Sequence, residues 1–382
     1  MNTERVELYC KEGSSDKVYI AELVESGVKY AVNFQYGRRG STLNIGSKTA
    51  SPVEYAEAKK IFDKLVKEKV GKGYKAASMP AGPAAAAIVT TQNEDTGYRA
   101  QLLNEIPEEK VDELIADDRF CAQEKWDGRR IAVGNKPEGL KIPGLNLDKV
   151  SGLFVCNKKG QSKAYTDRLK KAAGAIKAET FIIDGESIGD KVHAFDYLGA
   201  ATTGLAYKTT YYDRYMQLMG LLGDSKQTDI VLVYTAFSAQ EKRDLYEKLK
   251  KEGREGIVFK RIDAPYTPGR PNKGGDQFKF KFWSDISAVV EKVNAGKRSV
   301  ALYVFDKNRQ VSIGNVTIPP NKDIPAPGDV VDIKYLYAYP REGGGGTLYQ
   351  PIYRDKRDDV DAAECKVGRI KFKAIDPEEE DA

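Results

Sequence analysis

The sequence predicts an α+β protein, and three stretches of pattern lead to that class. From about residue 99 to 285, short apolar runs alternate with helical patterns. From about 286 to 374 the helical signal gives way to successive strands punctuated by Gly, Pro and Asn, as in a small β-barrel. Residues 1–76 form a smaller unit, in which a strand pattern precedes one amphipathic helix.

Each element follows from local spacing. Val28, Tyr30, Val32, Phe34 and Tyr36 alternate with Lys29, Asn33 and Gln35, which is the period of a half-buried strand. The strand runs into Gly37-Arg38-Arg39-Gly40, where two glycines permit a sharp turn and two arginines project. In the helix, Ala58, Ile61, Phe62 and Leu65 share one face and Lys59, Lys60, Asp63 and Lys64 the other. Its best start signal is Ser51 as cap with Pro52 at the first helical position. Residues 77–98 form a linker, because AASMPAGPAAAAIVTTQ (76–92) offers little to pack. The large domain covers 99–285 and the strand-rich domain 286–374, with strands at Val300–Phe305, Val311–Ile318, Val330–Tyr337 and Thr347–Tyr353. Gly343 to Gly346 predict a mobile loop, and 375–382 a solvated acidic tail.

Composition narrows the function. At ~150 residues per domain, 382 residues make two or three domains. Hydrophobic residues are 41% and charged residues 31%, with no apolar run near the ~18 that a membrane span needs. The start, MNTERVELYC, has no apolar signal segment, so an intracellular protein with no membrane partner is expected. Cys10, Cys121, Cys156 and Cys365 are isolated, against a disulfide framework or a cysteine zinc site. His193 is the sole histidine, which argues against histidine base chemistry. Five of the 56 carboxylates lie in 376–382, leaving 61 cations against 51 anions elsewhere. That excess favours a polyanionic partner.

Four short motifs carry the chemistry. They are Lys125-Trp126-Asp127-Gly128-Arg129-Arg130, Phe181-Ile182-Ile183-Asp184-Gly185-Glu186, Glu255-Gly256-Ile257-Val258-Phe259-Lys260 and Gln277-Phe278-Lys279-Phe280-Lys281-Phe282. Each alone is weak; four in this order within one domain are a strong signal. Strand alternation places Asp184 and Glu186 on one face, and likewise Lys279 and Lys281. Two lysines side by side repel unless an anion lies between them, and a polyphosphate suits that place.

Over residues of about 99 to 360 the chain resembles the covalent nucleotidyltransferases, and among them the ATP-dependent DNA ligases. The resemblance implies a nucleotidyltransferase domain followed by an OB-fold barrel. It makes Lys125 the nucleophile that takes AMP from ATP, an attack that needs the neutral amine. Arg130 is implied at the ribose and DNA end, Glu186 at the ribose, and Lys279 and Lys281 at the α-phosphate. Glu255, with Glu186, is implied at a Mg2+ (or Mn2+) ion, and Lys260 on the nucleotide side. Phe195 matches the aromatic ring against adenine, Gln123 and Glu124 match adenine contacts, and Arg357 the arginine that orients pyrophosphate. Where ligases carry an arginine before Asn-Gly, this chain offers only Lys158, which lacks the bidentate fork.

Residues 1–76 resemble a WGR domain, a DNA-end-sensing module, with Tyr36 where the signature tryptophan stands. Tyr36, Arg38 and Arg39 are the implied DNA contacts. The expected partner is nicked double-stranded DNA, bound by a monomer. An RNA ligase or mRNA-capping enzyme would use the same lysine on the same fold, and a non-enzymatic DNA-end-binding protein is a further alternative.

Overall fold

The computed structural model describes residues 3–12, 15–39, 43–49, 51–76, 94–140, 147, 150–189, 191–198, 209–223, 228–341 and 343–373. Gly40, the Ala/Pro-rich part of the expected linker and the acidic tail lie outside the described residues. The architecture is mixed α/β and rich in sheet. Two compact units emerge, one within Met1–Lys242 and Val258–Lys279, the other within Arg243–Ile257 and Phe280–Ile375.

The first unit opens on an antiparallel sheet. Its strands are β1 (Glu4–Glu12), β2 (Ser15–Ser26), β3 (Lys29–Arg38), β4 (Asn44–Ser47) and, after helix α1 (Tyr55–Gly71), β5 (Lys75–Ala76), in the order β4-β3-β2-β1-β5. Ala58, Phe62 and Leu65 of α1 pack on Leu8, Tyr19, Leu23 and Val32. The expected alternation on β3 is incomplete: Val28 lies before the strand and is exposed, and Ala31 and Asn33 are buried along with Val32. Ser51 and Pro52 do not start α1, which begins after Glu54 with no side-chain cap. Val53 explains the shift: its backbone exchanges two hydrogen bonds with Tyr30, of 2.9 and 2.8 Å, which holds it extended beside β3.

The chain continues through β6 (Asn104–Glu105), α2 (Glu109–Ala116), β7 (Phe120–Glu124), β8 (Arg129–Lys136), β9 (Gly152–Asn157), α3 (Asp167–Gly174), β10 (Phe181–Ile188), β11 (Lys191–Leu198), α4 (Tyr211–Gly223), β12 (Ile230–Leu232), β13 (Thr235–Ala236), α5 (Ala239–Lys251), β14 (Gly256–Arg261) and β15 (Gln277–Lys281). Two sheets result, ordered β12-β11-β10-β8-β9 and β13-β7-β14-β15-β6. Strand alternation gives the first of them two apolar faces. Val133, Ile183 and Val192 meet Leu169 of α3 and Leu218 of α4. Ala132, Ile182 and Leu198 meet Tyr98, Ala100 and Tyr266.

The second unit contains β16 (Ser284–Val293), β17 (Ser299–Asp306), β18 (Arg309–Thr317), β19 (Val330–Tyr335), β20 (Tyr337–Pro340), β21 (Gly346–Tyr349) and β22 (Ile352–Lys356). Among the described residues these strands form a five-stranded sheet, β18-β17-β16-β19-β22, and a ribbon, β20-β21. Its core includes Ile286, Leu302, Ile313, Val331 and Ile333. The stretch expected as one strand from Thr347 to Tyr353 breaks at Gln350, which adopts φ 53° and precedes Pro351, a residue without an N–H. No helix among the described residues is long and apolar enough to cross a membrane.

Candidate active site

Lys125 follows β7 directly and opens the connection 125–128, which carries the chain from one sheet to the other. Before it, Gln123 is buried and donates from Nε2 to Thr235 Oγ1 at 2.7 Å, while Glu124 is half-buried. After it, Gly128 lies hard against β10. A Cβ there would come within 2.3 Å of the Ser187 carbonyl oxygen and 3.1 Å of Glu186 Cγ, so the first motif needs a residue with no side chain. Antiparallel pairing then sets Arg130 opposite Glu186. The first two motifs are thus brought together by one strand pair. Between the two ends of the connection, the Trp126 ring stacks on His193, with centroids 3.8 Å apart and planes at 20°.

Asp184 and Glu186 share a face, as the alternation predicts, but their surroundings differ. Asp184 is fully buried and accepts from Arg130 Nε at 2.9 Å, Arg130 Nη2 at 2.6 Å and the Tyr98 hydroxyl at 2.7 Å. Arg130 Nη1 donates to the Gln101 carbonyl at 2.6 Å, so its guanidinium is committed to protein acceptors. Glu186 is half-buried. Opposite these residues β11 bulges: Asp196 pairs with Asp184 and Ala194 with Gly185, which leaves Phe195 as the extra residue. A bulge re-aims its side chain out of the regular pleat. The Phe195 ring lies 5.2 Å from the Arg130 guanidinium carbon and 4.5 Å from Lys260 Nζ.

Lys260 is buried among rings. It donates to the Phe195 carbonyl at 3.0 Å, and its ammonium lies 4.5 Å from the Tyr211 ring centre. Burial pulls its pKa down to about 8, against the attraction of Asp196. Asp196 pairs with Arg214 at 2.8 Å, with both side chains inaccessible; burial opposes its charge, but Arg214 outweighs burial and holds its pKa below the ordinary range. A pH dependence of stability follows. The unfolded chain keeps Lys260 protonated up to the ordinary lysine range, while the folded chain releases that proton near 8. Below about pH 8 both states are charged and the fold bears the full desolvation cost; that cost is relieved as the pH rises from about 8 towards 10. Between pH 8 and 9.5, urea unfolding of the wild type should therefore gain stability relative to Lys260→Met. Parallel curves would disprove the burial effect.

The remaining predicted residues of this unit are more dispersed. Lys279 stands opposite Glu105 in the parallel β15/β6 pair, 3.9 Å apart. Lys158 is exposed on the turn after β9, where Lys159 N and Gln161 N donate to Asn157 Oδ1. An arginine missed by the sequence reading reaches this turn: Arg99, paired with Asp95 at 2.7 Å, lies 3.5 Å from the Lys159 carbonyl. Tyr36 is 44% exposed and stacks on Tyr19 at 6.1 Å. Arg38 is half-buried, and Arg39 is held on Asp16 by bonds of 3.0 and 2.8 Å rather than simply projecting.

In the second unit Glu255 and Lys281 are buried and 3.5 Å apart. Lys281 Nζ also donates to Gln350 Oε1 at 2.8 Å. Gly256 is required beside them, because a Cβ would stand 2.1 Å from the Phe280 carbonyl oxygen. Lys279 and Lys281 thus each have a carboxylate within 4 Å. Arg357 follows β22 and donates to both Asp359 oxygens, at 2.6 and 2.7 Å. Among the described residues no group of three or more His, Cys, Asp or Glu is placed to hold a metal ion.

Comparison with known proteins bears on the two ends of this description. Residues 4–80 match the family model of the WGR domain. The chain is 26% identical to a probable DNA ligase of Dictyoglomus thermophilum over 211 residues, which are 49% of this chain and 36% of that relative, so the match spans about a third of the relative's length. Similar solved structures include one from a structure-function study of Lig E DNA ligases (TM-score 0.47, 18% identity, covering 68% of this chain and 99% of the other). Another is a mycobacterial DNA ligase D complexed with ATP and MES (TM-score 0.39, 18% identity, 73% and 100%). The chain therefore carries a WGR domain at its N-terminus and is, over about half its length, similar in sequence to a probable DNA ligase.

Proposed function

We propose that the protein is an ATP-dependent DNA ligase that seals nicks in duplex DNA as a monomer. In this reading residues 99–285 are the adenylation domain and 286–374 an OB-fold domain. The observation that supports it most is the Lys125 connection, a lysine between two sheets with the Glu186 strand held against it through Gly128. Lys125 Nζ forms a bond to the α-phosphorus of ATP as the bond to pyrophosphate breaks. The AMP passes to the 5′-phosphate of the nick, and the 3′-hydroxyl then displaces it. Glu186 holds the ribose and Phe195 faces the adenine, with Gln123 and Glu124 at its edge and Lys158 near the phosphate side. Lys279 and Lys281 meet charge on the phosphate, and Arg357 orients the leaving pyrophosphate.

Glu186 in the first unit and Glu255 in the second are the carboxylates assigned to Mg2+ or Mn2+. Their hard oxygen donors suit either ion, which takes its other ligands from phosphate and water. Such an ion supplies charge neutralisation at the phosphates.

Incubating the protein separately with ATP, GTP and NAD and weighing it intact tests the reading. Gain of one AMP from ATP, with sealing of a nicked duplex, is the expected result. Loading from GTP would favour a capping-type enzyme, and no loading from any of the three would refute the ligase reading.

The WGR domain supports DNA as the polymer and supplies a second attachment point. Deleting residues 1–90 should leave AMP loading intact and lower affinity for nicked duplex, since tethered sites raise each other's local concentration. The loss should shrink as salt rises, because both forms then lose phosphate contacts. Replacing Arg38 and Arg39 by Ala should reproduce much of it in a low-salt binding titration. Unchanged affinity in both variants would assign the domain to another partner.

A further inference from the structure

We propose that His193 is a positioning residue for Lys125, acting through the ring of Trp126; the assignment rests on the ligase reading above. Three anchors hold the segment around Lys125. Gln123 is bonded to Thr235 on one side, Gly128 abuts the Ser187 carbonyl on the other, and the Trp126/His193 stack lies between them. Of these, only the stack touches the residue adjoining the nucleophile. At 3.8 Å between centroids and 20° between planes, the two rings lie face to face in close contact. His193 is 3% exposed and sits on β11 opposite Glu186, two residues before Phe195. The platform under Trp126 therefore belongs to the same two strands that carry Glu186 and Phe195.

A lysine side chain is long, and anchoring its backbone removes one source of misalignment. In-line attack depends on that alignment, and a displacement of ~1 Å can cost ~10²-fold in rate. Loss of the stack should therefore slow AMP transfer while the groups that bind the nucleotide keep their places. A buried ring serving only to fill the core would have no such selective effect.

The test uses the full chain and three variants, His193→Ala, His193→Phe and Trp126→Leu. At saturating ATP, His193→Ala should load AMP roughly tenfold more slowly, while the half-saturating ATP concentration moves less than about threefold. His193→Phe keeps a stacking ring and should recover most of the rate. Sealing of a pre-adenylated nick, which needs no attack by Lys125, should stay within about twofold for His193→Ala. Only two tryptophans are present, so a Trp283→Phe background lets fluorescence report Trp126 alone, and His193→Ala should change its emission. Should His193→Ala fail to fold, Trp126→Leu breaks the stack from its half-buried side and carries the same kinetic expectation. Wild-type loading with an equally fast His193→Ala would overturn the assignment alone. Equal losses in His193→Phe and in pre-adenylated sealing would also overturn it. A wild type that takes no AMP overturns the ligase reading, and the assignment falls with it.

Discussion

Lys125→Ala is expected to gain no AMP from ATP and to seal no nick that begins with a free 5′-phosphate. The connection 125–128 is anchored at Gln123 and Gly128, and no other residue of the motif Lys125-Trp126-Asp127-Gly128-Arg129-Arg130 carries a primary amine. Covalent transfer has no partial substitute for its nucleophile, and the loss should exceed ~10³-fold in the loading step. Lys125 is half-buried, and its removal leaves the cores on either face of the β12-β11-β10-β8-β9 sheet untouched. The variant should unfold at nearly the wild-type urea concentration and still bind nicked DNA. A mutant that retains the mass of one AMP would remove Lys125 from the mechanism.

Arg130→Met should produce a large loss of stability. It deletes the partner of a carboxylate with no exposed surface and leaves that charge without its two strongest donors. Breaking one side of a buried ion pair costs about 3–5 kcal/mol, more than replacing both sides with apolar groups. Arg130→Met with Asp184→Leu should therefore be more stable than Arg130→Met alone, with Tyr98 and Tyr266 still able to bond each other at 3.0 Å. Urea midpoints of the two variants settle the matter; a double variant no better than the single one would show that the pair is not the source. The same result bears on catalysis. Activity lost in Arg130→Met counts as lost contact with DNA only after its unfolded fraction has been subtracted.

The readings that survived were those written in local spacing. Period-two alternation put Asp184 and Glu186 on one face, and the pairing of β8 with β10 keeps them there. The helix face of Ala58, Phe62 and Leu65 is buried as the 3.6 period requires. What was missed depends on residues far apart in the chain. Ser51 and Pro52 carry a sound start signal, but Tyr30 holds the neighbouring Val53 extended. The bulge that singles out Phe195 is a mismatch between two strands and has no signature within either one. Lys242 looks like one more cation on a charged helix. Yet it is wholly buried, donating to the carbonyls of Leu114, Asp117 and Phe120 at 3.2, 2.7 and 2.9 Å, and so closes the end of α2 and fixes the start of β7.

The close backbone approaches at Gly128 and Gly256 decide how a library of single substitutions would read. Both positions border residues assigned to chemistry, and both would score as inactive under almost any replacement. Yet the carbonyl oxygens of Ser187 and Phe280 lie where a Cβ would go, and backbone cannot step aside as a flexible side chain can. A screen for abundance in cells would therefore deplete variants at 128 and 256 as strongly as a screen for function, whereas variants at Lys125 would vanish only from the second. The ratio of the two scores, position by position, separates residues that act from residues that merely leave room.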